Sequence, residues 1–318
     1  MSRFAFHSLP TDVLNEVFSW LEVIDLIRLS YASDQLKDAV SSSRKNDIIY
    51  DFDVDDYGLT IKFRRKELFD SYNVLVRAAS SHQKIRSYDF TSDEQHSIYC
   101  ENWMDLFDEA TDILNRIPSE IDRFFFHSVI KRNLNPLYEY TKNNFFPKCT
   151  EVSLDYDIST EEFETLMKNF PKVEGICLGP EVKFFRHNLI YNIQRLIIHN
   201  GFGITENDLA KFTGKLKIYK ARQITKKYLL DFIKMWYNNP SITLDKFWVI
   251  GPDQFNFNMD RFAKDIKSLK IPIDFFPVTR ETPYARIMIK RSDGRQVQMS
   301  KNNSDFIFEN VKSNKITK

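Results

Sequence analysis

The chain has 318 residues, with 45 basic and 44 acidic side chains, a formal charge of +1 and a hydrophobic content of 42%. These values exclude a collagenous or disordered chain, and the balanced charge argues against a protein that coats nucleic acid or an anionic membrane. Only 8 Gly occur, against an average usage of roughly 7%, so phosphate-cradling loops and strained catalytic turns lack their usual residue. Three cysteines (Cys100, Cys149, Cys177) lie far apart without a CxxC, which predicts a reducing compartment and no disulfide framework. No signal-peptide apolar run opens the chain and no bilayer-length run follows. The expected location is cytoplasmic or nuclear, with no membrane partner.

Residues 8–43 read as a compact helical unit. Pro10 suits a first helical position, where its missing N–H costs nothing, and Asp12 places negative charge in the first turn. Leu14, Val17, Phe18 and Leu21 then recur at i, i+3, i+4 and i+7, an amphipathic-helix spacing. A second short helix carries Leu26, Ile27 and Leu29. Ser33 and Asp34 offer capping oxygens for a third, with Leu36 and Val40 on one face. About 40 residues do not easily bury this much apolar surface alone. Either the unit packs only against the rest of the chain or part of its apolar face docks on a partner, and the residues leave both open.

Residues 47–56 alternate acidic with apolar side chains and predict a connecting strand, followed by a helix near 65–81. Beyond them runs a repeat, apolar-x-x-apolar-x-apolar: Cys149, Val152, Leu154; Val173, Ile176, Leu178; Ile193, Leu196, Ile198; Leu216 with Ile218; and Leu244, Phe247, Val249. Ile121, Phe124, Phe126 and Ile85, Tyr88, Phe90 match upstream. Helix-like segments at Thr160–Asn169, Glu206–Phe212, Lys226–Tyr237 and Asp260–Leu269 fall between the strands. Strand-then-helix units of this length predict an irregular, leucine-rich-repeat-like α/β solenoid. At the end, ARIMIKR alternates, Asp293-Gly294 signals a hairpin turn, and strands are expected at 296–300 and 306–311. This predicts an antiparallel β-hairpin cap over the solenoid's open end. The fold class is α/β, divided into residues 1–46, 47–284 and 285–318.

Enzyme signals are missing. The six histidines form no HxxxH or HxH pair, so no metal site is expected. Gly201-Phe202-Gly203 starts like a dinucleotide loop, but Glu206 stands where the third Gly belongs. Gly214-Lys215 lacks the rest of a Walker loop, and there is no GxSxG elbow. The expectation is a non-enzyme without cofactors. From Lys211 to Lys227 seven basic residues occur without an acid; as a nucleic-acid surface this run is the disfavoured reading, a solvated face the favoured one.

The stretch LPTDVLNEVFSWLEVIDLIRLSYASDQLKDAV resembles the F-box motif, through Leu9-Pro10, Leu14 with Glu16-Val17-Phe18, Leu21, Asp25-Leu26-Ile27-Arg28-Leu29-Ser30 and Leu36-Lys37. IKRSDGRQVQM with FIFENV is similar to the terminal hairpin of the nematode F-box families that carry a type 2 F-box-associated domain. The resemblance implies a substrate receptor of a cullin-RING (SCF-type) ubiquitin ligase. Its helices would bind a Skp-type adaptor, and through it a cullin, while the C-terminal domain holds a protein substrate. Carried over by position, Leu9, Pro10, Leu14, Val17, Leu26 and Leu29 would form much of the adaptor-facing surface, although some of these six must close the three-helix core instead. In the repeats, strand alternation places Asp155, Arg195, His199, Lys215, Lys217, Tyr219, Lys246 and Trp248 on the exposed sheet face, where cations interleaved with Trp and Tyr have the composition of a binding hot spot. That face is expected to read an acidic or aromatic-containing protein segment, unless the C-terminal cap buries Trp248. The alternatives are a scaffold uncoupled from any ligase, and a nucleic-acid binder using 211–227.

Overall fold

The computed structural model describes residues 9–42, 48–55, 58–65, 71–78, 89–92, 95–100, 103–117, 120–126, 141, 146, 148–251, 257–278, 284–302 and 305–311. It divides into two compact units, residues 1–156 with 161–173, and residues 157–160 with 174–318. Both units mix helices with strands, an α/β content headed by three N-terminal helices.

The first unit opens with α1 (Thr11–Trp20), α2 (Val23–Ala32) and α3 (Asp34–Ser42). Pro10 is the residue before α1 and its carbonyl accepts from Leu14 N at 3.0 Å, one position earlier than expected. The Ser33 hydroxyl caps α3 by accepting from Leu36 N at 3.2 Å. There follow β1 (Ile48–Asp55), β2 (Gly58–Arg65), β3 (Ser71–Ala78), β4 (Asp89–Ser92), β5 (Gln95–Cys100), α4 (Trp103–Arg116), β6 (Glu120–Phe126), β7 (Glu151–Leu154) and α5 (Thr160–Met167). The strand order in this unit is β7-β6-β1-β2-β3-β5-β4.

Where a helix is expected near 65–81, the described residues are strand: β2 reaches Arg65 and β3 runs from Ser71 to Ala78, the two pairing antiparallel with Phe63 opposite Tyr72 and Ile61 opposite Val74, while 66–70 and 79–81 lie outside the described residues. Tyr72, Val74 and Val76 keep the period of two that a strand needs. Likewise β1 does more than connect, since it lies between β2 (antiparallel) and β6 (parallel). Of the upstream repeat matches, Ile85 and Tyr88 lie outside the described residues. One sheet face buries Tyr50, Phe52, Ile61, Phe63, Phe124, Val152 and Leu154, and Phe163 and Leu166 of α5 are buried too. Phe124 is the hub, with the Phe52, Phe146 and Phe170 rings 4.8, 5.2 and 5.3 Å away. Full burial of each such ring contributes about 1.5–3 kcal/mol.

The second unit contains β8 (Gly175–Leu178), α6 (Asn188–Asn192), β9 (Arg195–Ile198), α7 (Glu206–Lys211), β10 (Lys215–Tyr219), α8 (Lys226–Asn238), β11 (Lys246–Ile250), α9 (Met259–Ser268), β12 (Asp274–Phe276), β13 (Arg286–Lys290), β14 (Gln296–Asn302) and β15 (Asp305–Asn310). Its strand order is β12-β13-β14-β15-β11-β10-β9-β8. From β8 to β11 the strands are parallel and the repeat positions lie side by side. Ile176, Leu196, Leu216 and Phe247 form one row, and Leu178, Ile198, Ile218 and Val249 the next. All are at most 2% exposed. Threonines 205 and 225 and Asn258 cap α7, α8 and α9 by accepting backbone N–H groups. Two glycines serve close packing here rather than phosphate binding. A Cβ on Gly201 would sit 2.3 Å from Ile218 Cγ2, and one on Gly214 would sit 2.3 Å from the Ile193 carbonyl.

Past α9 the strands turn antiparallel. Gly294 closes the β13–β14 turn at φ +86°, and β15 pairs antiparallel with β11, Trp248 opposite Ile307. Behind that turn the side chain of Arg291 is fully buried. It donates to the carbonyls of Trp236 and Asn239 at 2.8 and 2.9 Å, grips both Asp293 oxygens and lies 4.5 Å over the Trp236 ring. A cation thus meets the carbonyl end of α8, where the helix dipole favours it.

Candidate functional site

Two surfaces follow from these elements. On α1, Leu14 and Phe18 face inward, 8% and 0% exposed. A second stripe on the same helix faces out: Val13 is 43% exposed, Trp20 is 81% exposed, and Val17, between them, is half-buried. The spacing is i, i+4, i+7, so one short helix carries two apolar faces. Trp20 is braced through its indole N–H, which donates to Glu16 Oε1 at 3.1 Å. The six residues carried over by position now separate. Pro10 is exposed, Leu9, Val17 and Leu29 are half-buried, and Leu14 and Leu26 are buried. Leu26, with no exposed surface, closes the helical core and offers nothing to a partner. Val13 and Trp20 were missed because the inward stripe has the stronger pattern; the i, i+4, i+7 spacing of Val13, Val17 and Trp20 was the signal available.

Part of the excess apolar surface is also covered within the first unit, where α4 supports α2 and α3. Arg116 donates to the Ser30 carbonyl at 2.8 Å, its guanidinium lies 4.3 Å over the Tyr31 ring, and Asp112 holds it at 2.6 Å while also pairing with Lys37 at 3.4 Å. The reading in which the unit packs against the rest of the chain therefore holds for its α2–α3 side.

The second surface is the outward face of the β9–β10–β11–β15 sheet. Residues alternate strictly between core and face, which brings seven of the eight expected side chains to one side. Asp155 follows β7 in the first unit. Register sets three rows across the strands. The first is Arg195, Lys215, Lys246 and Glu309; the second is Ile197, Lys217, Trp248 and Ile307. The third holds Tyr219, Ile250 and Asp305, with His199 stacked on Tyr219 at 4.8 Å and 5° between ring planes. Lys217 Nζ lies between two aromatic faces, 4.9 Å from the Tyr219 ring and 4.5 Å from the Trp248 ring. Trp248 donates to Asp305 at 3.3 Å, and Lys246 pairs with Glu309 at 2.9 Å. Trp248 is half-buried, because β15 lies beside it in the sheet and not on top of it.

The basic run 211–227 does not form one patch. Lys211 ends α7 over the Tyr191 ring at 5.2 Å, Lys215 and Lys217 point from β10, and Lys226 opens α8 paired with Asp265 at 2.6 Å.

Other ionisable groups are structural. Asp208, 1% exposed, accepts from Arg186 at 2.9 and 2.8 Å, from Tyr191 Oη at 2.8 Å and from Thr205 N at 2.9 Å. Burial works to raise its carboxyl, but these hydrogen bonds, Arg186 foremost, outweigh it and hold the group below the usual carboxylate range. In the first unit, burial raises the Asp51 carboxyl against the pull of Arg123 and Arg64, 4.0 and 3.6 Å away. The Cys149 thiol is pushed up to about 12 by burial, the reverse of what an activated nucleophile needs. Among the described residues no group of His, Cys, Asp and Glu is arranged to hold a metal ion, and no helix is long and apolar enough to cross a membrane.

A three-helix unit with an outward apolar stripe, braced by a helix of the following fold, has a surface of the kind that docks proteins. The F-box domain family matches residues 6–47, so the chain carries an F-box domain at its N-terminal end. Such domains bind Skp1-type adaptors in cullin complexes. Searches of the curated proteins and of the solved structures gave no match.

Proposed function

We propose that the chain is the substrate-recognition subunit of an SCF-type ubiquitin ligase, cytoplasmic or nuclear, of the nematode kind with a type 2 F-box-associated domain. The observation that carries the proposal is the F-box match over residues 6–47 coinciding with an outward stripe of Val13, Val17 and Trp20 beside exposed Pro10. These four, with Leu9 and Leu29, are the proposed adaptor surface. Within the expected bounds of 47–284, the parallel strands β8–β11 are read as an irregular leucine-rich-repeat-like segment, with β13–β15 of 285–318 as its β cap, whereas the antiparallel β1, β2 and β3 depart from the repeat. Parallel, in-register repeat rows and the antiparallel pairing of β15 with β11 support that reading. The receptor makes no bond itself; it raises the effective concentration of a substrate lysine near the ubiquitin-charged enzyme.

Co-purification with a Skp-type adaptor is the test. The wild-type chain should retain the adaptor at micromolar concentration, and Val17→Asp and Trp20→Ala should each lower retention at least tenfold with the fold intact by circular dichroism. A wild-type chain that purifies without adaptor, while still binding other proteins, would establish the scaffold reading instead.

A further inference from the structure

The β9–β11 face has a polarity that specifies its ligand more narrowly than a generic substrate surface. Its first row begins with Arg195 and Lys215, both exposed, and ends with the Lys246–Glu309 pair. One step along the strands, the second row offers Ile197, the Lys217–Trp248 stack and Ile307. Positive charge therefore lies toward β9 and β10, and carboxylates (Glu309, Asp305) lie on β15. The aromatic centre is held from two sides, by Lys217 at 4.5 Å and by Asp305 at 3.3 Å. An aromatic side chain whose rotamer is fixed before binding loses little freedom on contact, a property of interface anchors.

We infer that this face binds an extended acidic peptide segment, with carboxylates over Arg195, Lys215 and Lys217 and an apolar or aromatic side chain on Trp248 and Ile307. The inference deepens the receptor reading and, for its biological role, rests on it. Geometry fits an extended chain. Neighbouring strands are about 4.8 Å apart, so the span from Arg195 to Lys246 is about 10 Å, which about three extended residues cover. The two rows are separated by about 7 Å along the strand, so the diagonal from Arg195 to Trp248 is about 12 Å, which an acidic residue and an apolar residue three places on cover with their side chains. A nucleic acid fits worse. Its phosphates would meet the Asp305 and Glu309 carboxylates, the remaining cations of the 211–227 run lie on helices and turns, and a chain of net charge +1 provides no general field for a polyanion.

Fluorescence anisotropy with the full-length protein tests this, using a labelled short peptide alternating Glu and Tyr, a counterpart alternating Lys and Tyr, and oligothymidylate. The Glu/Tyr peptide should bind saturably, weaken as salt is raised across the physiological range, and lose at least tenfold in affinity in Lys215→Glu/Lys217→Glu. Trp248→Ala should cost about 30-fold, the loss expected at an anchor. Equal binding of the Lys/Tyr peptide, preference for oligothymidylate, or unchanged affinity in the double variant would overturn the inference. The salt titration on wild-type protein keeps the test valid if a variant folds poorly. Adaptor co-purification from the same preparations should be unaffected by all three face substitutions. Peptide binding without adaptor retention sinks only the receptor reading, and adaptor retention without peptide binding sinks only this site.

Discussion

Arg291 shows how much one side chain does in the second unit. Its guanidinium satisfies carbonyls at the end of α8, pairs with Asp293 and stacks on Trp236, so hairpin and helix end are one structure. Hydrogen bonds to charged groups contribute about 1.5–3 kcal/mol each, and removing one partner leaves buried acceptors unmet. Arg291→Met should therefore lower unfolding free energy by about 3 kcal/mol in urea titration, whereas Arg261→Met, at an exposed position of α9, should stay within about 0.5 kcal/mol. Two carboxyls add a pH dependence of known sign. Asp293 is held low chiefly by its hydrogen bond from Arg291, and Asp208 is held low despite burial. A group whose pKa is depressed on folding stabilises above its unfolded value, so this contribution is constant at neutral pH and is lost as pH falls through the carboxylate range. The urea midpoint should drop below about pH 4, and Asp208→Asn should reduce that drop while lowering the neutral midpoint. A wild-type midpoint that rises on acidification would contradict this assignment.

At the scale of elements, α1 is the informative case. Leu26→Asp would place a carboxylate in a fully buried site and should unfold the helical unit, so any loss of adaptor binding in that variant says nothing about the interface. Trp20→Ala removes an exposed ring and should leave the thermal midpoint within about 1 °C of wild type while weakening adaptor retention. That contrast explains what could be read from the sequence. The inward stripe was legible because burial imposes the helical period on Leu14 and Phe18; the outward stripe obeys the same period but competes with it on one short helix. Likewise α5, α7, α8 and α9 were legible from their periodicity, and the face residues of β9, β10 and β11 followed from alternation once the repeat was in register. The strands β2 and β3 were not, because their pairing is supplied by the sheet as a whole and not by local propensity. Arg291 and Arg116 were illegible for a different reason: their partners are backbone carbonyls and rings remote in sequence, which no local pattern encodes.

For the molecule as a whole, the shortage of Gly and the balanced charge acquire a positive meaning. The proposed receptor, working by apolar stripes and a mixed cation–aromatic face, needs neither phosphate loops nor a strong global field, and Gly201 and Gly214 are spacers between packed backbones. The helical unit also proves less separable than its sequence suggests. Arg116 and Asp112 of α4 bind Ser30, Tyr31 and Lys37, so deleting residues 9–42 would strip α4 of its partners as well as remove the adaptor surface. That deletion should lower the unfolding midpoint of the remaining chain by several degrees, through newly exposed apolar area and the lost Arg116 contacts. A point variant such as Trp20→Ala should not. Affinity proteomics that compares wild type with the deletion would mix lost adaptor coupling with partial unfolding. The comparison with Trp20→Ala isolates coupling: adaptor and cullin should disappear from the captured set while substrates bound by the second unit remain. If the deletion melts at the wild-type temperature, α4 is not the brace described, and the two variants should then capture the same proteins.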